Sequence, residues 1–141
     1  MEEASTMNNN VYIVWGENNN LGIHIIDEQH KGIVSLINSL HFSIIEKYSN
    51  ELLKPIAESI KDYTTIHFQT EQHLLQKTNY QELPHHLELH KELIVQTIHY
   101  TQQANEHNDP IILLKFLREW WLNHINIEDR KYVSHVSNYL T

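Results

Sequence analysis

The sequence predicts an all-α protein: an antiparallel up-down-up-down four-helix bundle with an extended N-terminal arm and a short C-terminal helix packed back on it. Three observations carry this expectation. Glycine and proline, the residues that punctuate regular structure, occur only three times each in 141 residues. Four stretches repeat apolar residues at steps of three and four, the spacing that lines one face of a helix. The polar connections between them are short, as between antiparallel neighbours in a bundle. The length suits one domain, over 11–141, preceded by a polar, aperiodic tail over 1–10 that is read as disordered.

From Val11 to Ile26, apolar clusters surround the break Gly16-Glu17-Asn18-Asn19-Asn20, which predicts an arm lying along the body, anchored by Trp15 and Ile23. Asp27 reads as the N-cap of the first long helix. Its stripe Ile26, Ile33, Ile37, Leu40 and Ile44 also contains His30. After a break at Tyr48-Ser49-Asn50, a second helix carries Ile56, Ile60, Tyr63, His67, Glu71 and Leu74, with Pro55 near its first turn and its end around Lys77-Thr78-Asn79. Pro84 opens a third, which sets His86, His90, Leu93 or Ile94, and Thr97 or Ile98 along one face until Asn105-Glu106-His107-Asn108. Asp109-Pro110 pairs an N-cap with a proline at the first helical position, and the fourth helix then shows Leu113, Phe116, Leu117, Trp120 and His124. The stretch after Asp129 supplies the short closing helix.

Composition narrows the function. The formal net charge is -8, and no Lys/Arg cluster is longer than Arg130-Lys131, so neither nucleic acid nor an anionic membrane is an expected partner. No basic start with an apolar core suggests a signal peptide, and no apolar run approaches the roughly 20 residues of a membrane span, so a cytoplasmic location is expected. Cysteine is absent, which leaves nitrogen and oxygen as the only strong metal ligands. Histidine, at twelve, is the conspicuous excess.

Residues four apart on a helix differ by about 400° of rotation and so share a face. His67 with Glu71 and His86 with His90 are such pairs, each on a stripe that otherwise carries core residues. A single His-x-x-x-His pair is weak evidence, since chance gives about one in a chain this rich in histidine. The set is stronger. Every helix places a ligand-type residue on its inner stripe: His30, then His67 and Glu71, then His86 and His90, then His124. Several imidazoles meeting in one core need a compensating partner, and a metal satisfies them together.

The segments Gly22-Ile23, Ile26-Asp27-Glu28-Gln29-His30, His67-Phe68-Gln69-Thr70-Glu71-Gln72, His86-x-x-x-His90 and Trp120-x-x-x-His124-Ile125-x-x-x-Asp129-x-x-Tyr132 resemble, in order and spacing, the hemerythrins, above all the bacterial branch. The resemblance spans roughly residues 11–135. It implies two non-haem iron ions with a bridging oxo or hydroxo group: His86, His90 and His124 on one, His30 and His67 on the other, Glu71 and Asp129 bridging. It also implies a vacant position for dioxygen on the two-histidine iron. The function implied is reversible dioxygen binding, for carriage, storage or delivery, rather than catalysis. The alternatives are a di-iron enzyme reducing peroxide, dioxygen or nitric oxide, and an oxygen- or redox-sensing module.

Five neutral imidazoles with two carboxylates disfavour the high iron charge that carboxylate-rich di-iron bundles stabilise, which also points to binding over turnover. Ile33, Ile125, Trp120, Leu74 and Leu83 are the expected wall residues of a dry pocket. Trp121, where the family often has leucine, is expected to narrow or reroute ligand access; Leu75 stands where methionine is frequent. Five residues separate His124 from Asp129, about 500° on a regular helix, so the helix must break or bulge at Asn126-Ile127-Glu128 for both to face the site. His24, His41, His73, His85, His99, His107 and His135 are expected to face solvent or make ordinary hydrogen bonds.

Overall fold

The computed structural model describes residues 12–140, so the tail expected over 1–10 lies outside the described residues. Four long helical segments form the body: α1 (His24–Ile45), α2 (Ser49–Lys77), α3 (Leu83–Glu106) and α4 (Pro110–Trp120). The last continues as a π-helix over Trp121–Glu128, a 3-10 turn over Asp129–Tyr132 and a final helix, α5 (Val133–Leu140). α1 packs on α2 and α4, and α3 packs on α2 and α4, which closes an all-α ring of neighbours. No helix among the described residues is long and apolar enough to cross a membrane.

The three connections end their helices in the same way. Lys47, Asn79 and Asn108 each take a left-handed conformation, with φ of 65°, 57° and 50°. The following N–H then reaches back five residues: Tyr48 to Ser43, Tyr80 to Leu75 and Asp109 to Ala104. This double-bonded cap satisfies helix carbonyls that otherwise lack partners, and it turns the chain sharply enough for antiparallel packing. Asparagine tolerates the left-handed region; lysine does so at a cost. At the fourth helix, Asp109 caps as expected, its Oδ1 accepting from Ile111 N at 3.2 Å.

Two local expectations need correction. Asp27 is not the N-cap of α1, because the helix opens at His24 after the extended residue Ile23. The Asp27 carboxylate instead accepts from the N–H groups of Leu21 (2.8 Å) and Gly22 (3.1 Å), stapling the arm to the first turn. Gly22 sits there at φ 85°, where a Cβ would be strained. α2 begins at Ser49, so Pro55 falls beyond the first turn. It offers no N–H to the Glu51 carbonyl, on an exposed stretch of the helix.

The arm itself carries a 3-10 turn over Glu17–Asn19. Ile23 is a buried anchor as expected, joined by Ile13 and Leu21, whereas Trp15 is only half-buried. On α3, Thr97 rather than Ile98 is the inward residue of the pair.

The core is divided. One apolar cluster gathers Ile33, Ile37, Leu40, Ile60, Leu113, Leu117 and Trp121; a smaller one gathers Leu21, Ile23, Ile26, Leu75, Tyr132 and Val136. Along α1, His30 lies between Ile26 and Ile33; along α2, His67 and Glu71 lie between Ile60 and Leu75. A polar layer therefore crosses the bundle between two apolar ones. Replacing Lys47 with glycine is expected to raise stability by about 0.5–1 kcal/mol by relieving its left-handed strain, whereas Lys47→Ala gains nothing. Paired denaturation curves of the two variants check this.

Candidate metal centre

All seven residues expected at the site converge on that layer. His30 comes from α1, His67 and Glu71 from α2, His86 and His90 from α3, His124 from the π-helix and Asp129 from the 3-10 turn. His30, His67, Glu71 and Asp129 are 0% exposed, and His86, His90 and His124 are 3–5% exposed.

The two carboxylates organise the imidazoles into two groups. Glu71 Oε1 lies 2.9 Å from His86 Nε2 and 3.1 Å from His90 Nε2, while Asp129 Oδ1 lies 3.1 Å from both His86 and His124 Nε2. The other oxygens face the remaining pair: Glu71 Oε2 is 3.0 Å from His67 Nε2 and 3.7 Å from His30 Nε2, and Asp129 Oδ2 is 3.2 Å from His30 Nε2. Ligand atoms of Glu71, His86, His90, His124 and Asp129 lie within 4.8 Å of one another, as do those of His30, His67, Glu71 and Asp129.

Helix geometry explains how His124 and Asp129 share a face. The Asp129 N–H bonds the His124 carbonyl, five residues back, so the wider π turn stacks one above the other. The expected irregularity exists, but it is longer than Asn126-Ile127-Glu128 and begins at Trp121.

Charge and hydrogen bonding decide what the cluster can hold. Among the described residues, both ring nitrogens of His30 and His90, His124 Nε2 and both Asp129 oxygens are buried without a hydrogen-bond partner. Leaving a buried polar atom unsatisfied costs about 1–3 kcal/mol. His67 Nδ1–H donates to Gln29 Oε1 at 2.8 Å, and Gln29 Nε2 donates to Thr70 Oγ1 at 3.0 Å. In a neutral His67 ring this leaves the Nε2 lone pair aimed at a carboxylate oxygen, an arrangement that a cation between them resolves. The donors are imidazole and carboxylate with no sulfur, a set suited to non-haem iron.

Burial works against charge on His30, but Asp129 and Glu71 outweigh it and raise its pKa to about 9. The same opposition raises His86 to about 9. Burial lowers His90, with Glu71 only partly offsetting it. Burial favours protonation of Glu71, yet His67, His30 and His86 hold it well below the usual carboxylate range. Asp129 is likewise held low, by His124 and His30 against burial and the neighbouring Glu71.

The expected wall residues differ in burial. Ile33, Ile125 and Trp121 are fully buried and Trp120 nearly so, in the larger apolar cluster. The Trp121 ring stands edge-on to His30 at 5.4 Å. Leu74 and Leu83 are only partly buried, packed on the smaller cluster that holds Leu75. His24, His73, His85, His99 and His107 are exposed, His41 stacks on Tyr12, and His135 Nε2 donates to the Thr78 carbonyl.

Three supporting residues carried no expected role. Gln29 orients His67; Tyr132 O–H donates to Glu71 Oε2 at 3.0 Å; Phe68 stacks on His90 at 3.7 Å between ring centroids. Each stands beside or near a site residue in sequence, but only the crossing of helices shows which one it serves.

Residues 21–136 match the family profile described as the hemerythrin HHE cation binding domain. The chain belongs to the hemerythrin family. It is 34% identical over 126 residues to a bacteriohemerythrin of Pseudomonas aeruginosa, covering 89% of this chain and 82% of that protein. A hemerythrin-like protein of Naegleria gruberi is 25% identical over 118 residues, 84% of this chain and 88% of the relative. A crystal structure of a hemerythrin single-site variant superposes with a TM-score of 0.76 at 24% identity, covering 91% of this chain and 99% of that one, which shows the shared bundle.

The raised histidines give the metal-free hemerythrin fold a definite pH response. Their folded pKa of about 9 exceeds the unfolded value of about 6.5, so their contribution is fully present below pH ~6.5 and is lost as pH rises through ~9. Glu71 and Asp129 act oppositely, contributing above their unfolded values and losing that contribution in acid. Thermal melts of metal-free protein are expected to fall between pH 6.5 and 9.5. Metal uptake in weakly buffered solution at pH 7 is expected to release protons.

Proposed function

We propose that this hemerythrin-family chain holds two iron ions with a solvent-derived oxo or hydroxo bridge and binds dioxygen reversibly at the pair, for carriage, storage or delivery. The observation that carries the reading is the division of each carboxylate: one oxygen of Glu71 and of Asp129 faces His86, His90 and His124, and the other faces His30 and His67. In this reading Glu71 and Asp129 would hold both ions, His86, His90 and His124 one of them and His30 and His67 the other, whose smaller set of protein donors would leave room for a ligand. When bound, a ferrous pair supplies the two electrons that dioxygen accepts on binding and returns on release.

The protein's part is to hold and shield. Gln29 fixes the His67 tautomer, so Nε2 is kept for the metal. Tyr132 pins Glu71 Oε2, and burial keeps the phenol protonated by raising its pKa well above the ordinary value. The Trp120 ring stacks on His124 and the Trp121 ring stands edge-on to His30, both within the buried apolar cluster that holds Ile33 and Ile125, and such apolar surface restricts the water and protons that would convert a bound ligand into a lost one. Two carboxylates against five imidazoles keep the site's negative charge low. That balance, together with family membership, supports binding over oxidation chemistry.

Anaerobic loading with ferrous iron should give about two irons per chain, as seven ligands divided in this way require. Exposure to oxygen should then produce a visible absorption band that vanishes under vacuum and returns in air. Rapid, irreversible bleaching would instead support a reductase. His30→Ala is expected to lose iron from the two-histidine half, while His85→Ala, at an exposed position, keeps the full complement; full iron in the first variant would defeat the assignment.

A further inference from the structure

Gly32 lies in the interior of α1, two residues after His30. Glycine weakens a helix at such a position, because it has more backbone freedom to lose on folding than any other residue. The backbone does not call for it: among the described glycines, only Gly22 takes a positive φ. The space beside it does. A Cβ built on Gly32 would overlap the Tyr63 ring of α2, lying 2.5 Å from Oη and 2.7 Å from Cζ, with Cε2 closer still. The edge of that ring therefore rests against the α1 backbone, while Tyr63 also packs on the larger apolar cluster.

The contact belongs to the seam between α1 and α2. Gln29 and Gly32 are three apart on α1, and Tyr63, His67 and Thr70 are four and three apart on α2, so each set lines one face of its helix. The antiparallel helices match the two sets in order: Gln29 lies against Thr70 and His67, and Gly32 against Tyr63 one turn further along. These contacts share one requirement, the separation of the two backbones. Gln29 Oε1 is 2.8 Å from His67 Nδ1, and parting the helices by about 1 Å takes that pair out of hydrogen-bond range. The His30 and His67 rings meet edge to face at 4.6 Å, with their Nε2 atoms 3.7 and 3.0 Å from the same Glu71 oxygen. A methyl group added at Gly32 leaves two ways to yield: the tyrosine ring gives up its apolar packing, or the helices part.

We infer that the Gly32–Tyr63 contact sets the spacing of α1 and α2 at the level of the two-histidine half, so that both are positioning residues for His30 and His67. Close approach here keeps Gln29 on His67 and brings imidazoles from two helices to one carboxylate oxygen. His86, His90 and His124 lie on α3 and the π-helix, outside this seam, so the three-histidine half keeps its own geometry when the seam opens. The consequence for iron rests on the proposed two-ion reading; the consequence for His67 does not.

The His67 Nδ1 proton, followed by NMR in metal-free protein, reports the seam directly. Gly32→Ala is expected to speed its exchange with solvent about tenfold or more and to mix the two ring tautomers, as Gln29→Ala does, although alanine is the better helix former. Tyr63→Leu shortens the side chain to end before Cε2. Combined with Gly32→Ala it should restore the wild-type signal, which a general loss of stability would not allow. On anaerobic loading with ferrous iron, Gly32→Ala should hold about one ion per chain and the double variant about two. Should Gly32→Ala not fold, Tyr63→Trp presses on the same contact from α2 and is read in the same way. A wild-type His67 signal with full iron in Gly32→Ala, or a loss that Tyr63→Leu does not reverse, would overturn the inference. If the wild-type chain itself takes up no iron, the two-ion reading fails, and the His67 signal of the metal-free variants still decides the spacing.

Discussion

Two buried carboxylates, each shared between two sets of imidazoles, are the constraint on which the rest of this structure depends. The groups that most strongly hold Glu71 and Asp129 ionised against burial are histidines: His67, His30 and His86 for Glu71, His124 and His30 for Asp129. Such an arrangement is stable only if four helices deliver their side chains to one level. The helix lengths, the three left-handed caps and the stapling of the arm by Asp27 all serve that alignment.

The π-helix is the clearest case of backbone geometry answering to the site. An α-helix would turn Asp129 away from His124, and a loop would leave backbone groups unpaired beside a dry core. Widening the helix keeps the ladder of hydrogen bonds and changes only the rotation per residue. The 3-10 turn that follows brings Tyr132 under Glu71, so one irregular segment delivers a ligand-type histidine, a carboxylate and the phenol that steadies its partner.

Much of this was legible in the residues. The 3–4 spacing of Ile33, Ile37 and Leu40 fixed the inward face of α1 and carried His30 with it, and the same logic placed His67, Glu71, His86 and His90. The His124 to Asp129 spacing announced an irregular helix, because a regular one contradicts both residues facing inward. What remained hidden depends on contacts between elements remote in sequence: Gln29 against His67, Phe68 against His90, Asn19 against Asn126. Asp27 misled because aspartate before an apolar run is the usual mark of an N-cap, and only the arm's return path shows that its carboxylate serves two other N–H groups. Trp15, expected as a buried anchor, is only half-buried, and its neighbour Trp121 is more than a hundred positions away.

The polar layer that divides the core has a further consequence. A bundle with one continuous apolar interior stands without help, whereas this one has a band of mutually dependent charges across its waist. A cation held in that band would tie the two halves together, so the resistance of the whole bundle to unfolding should rise with metal occupancy.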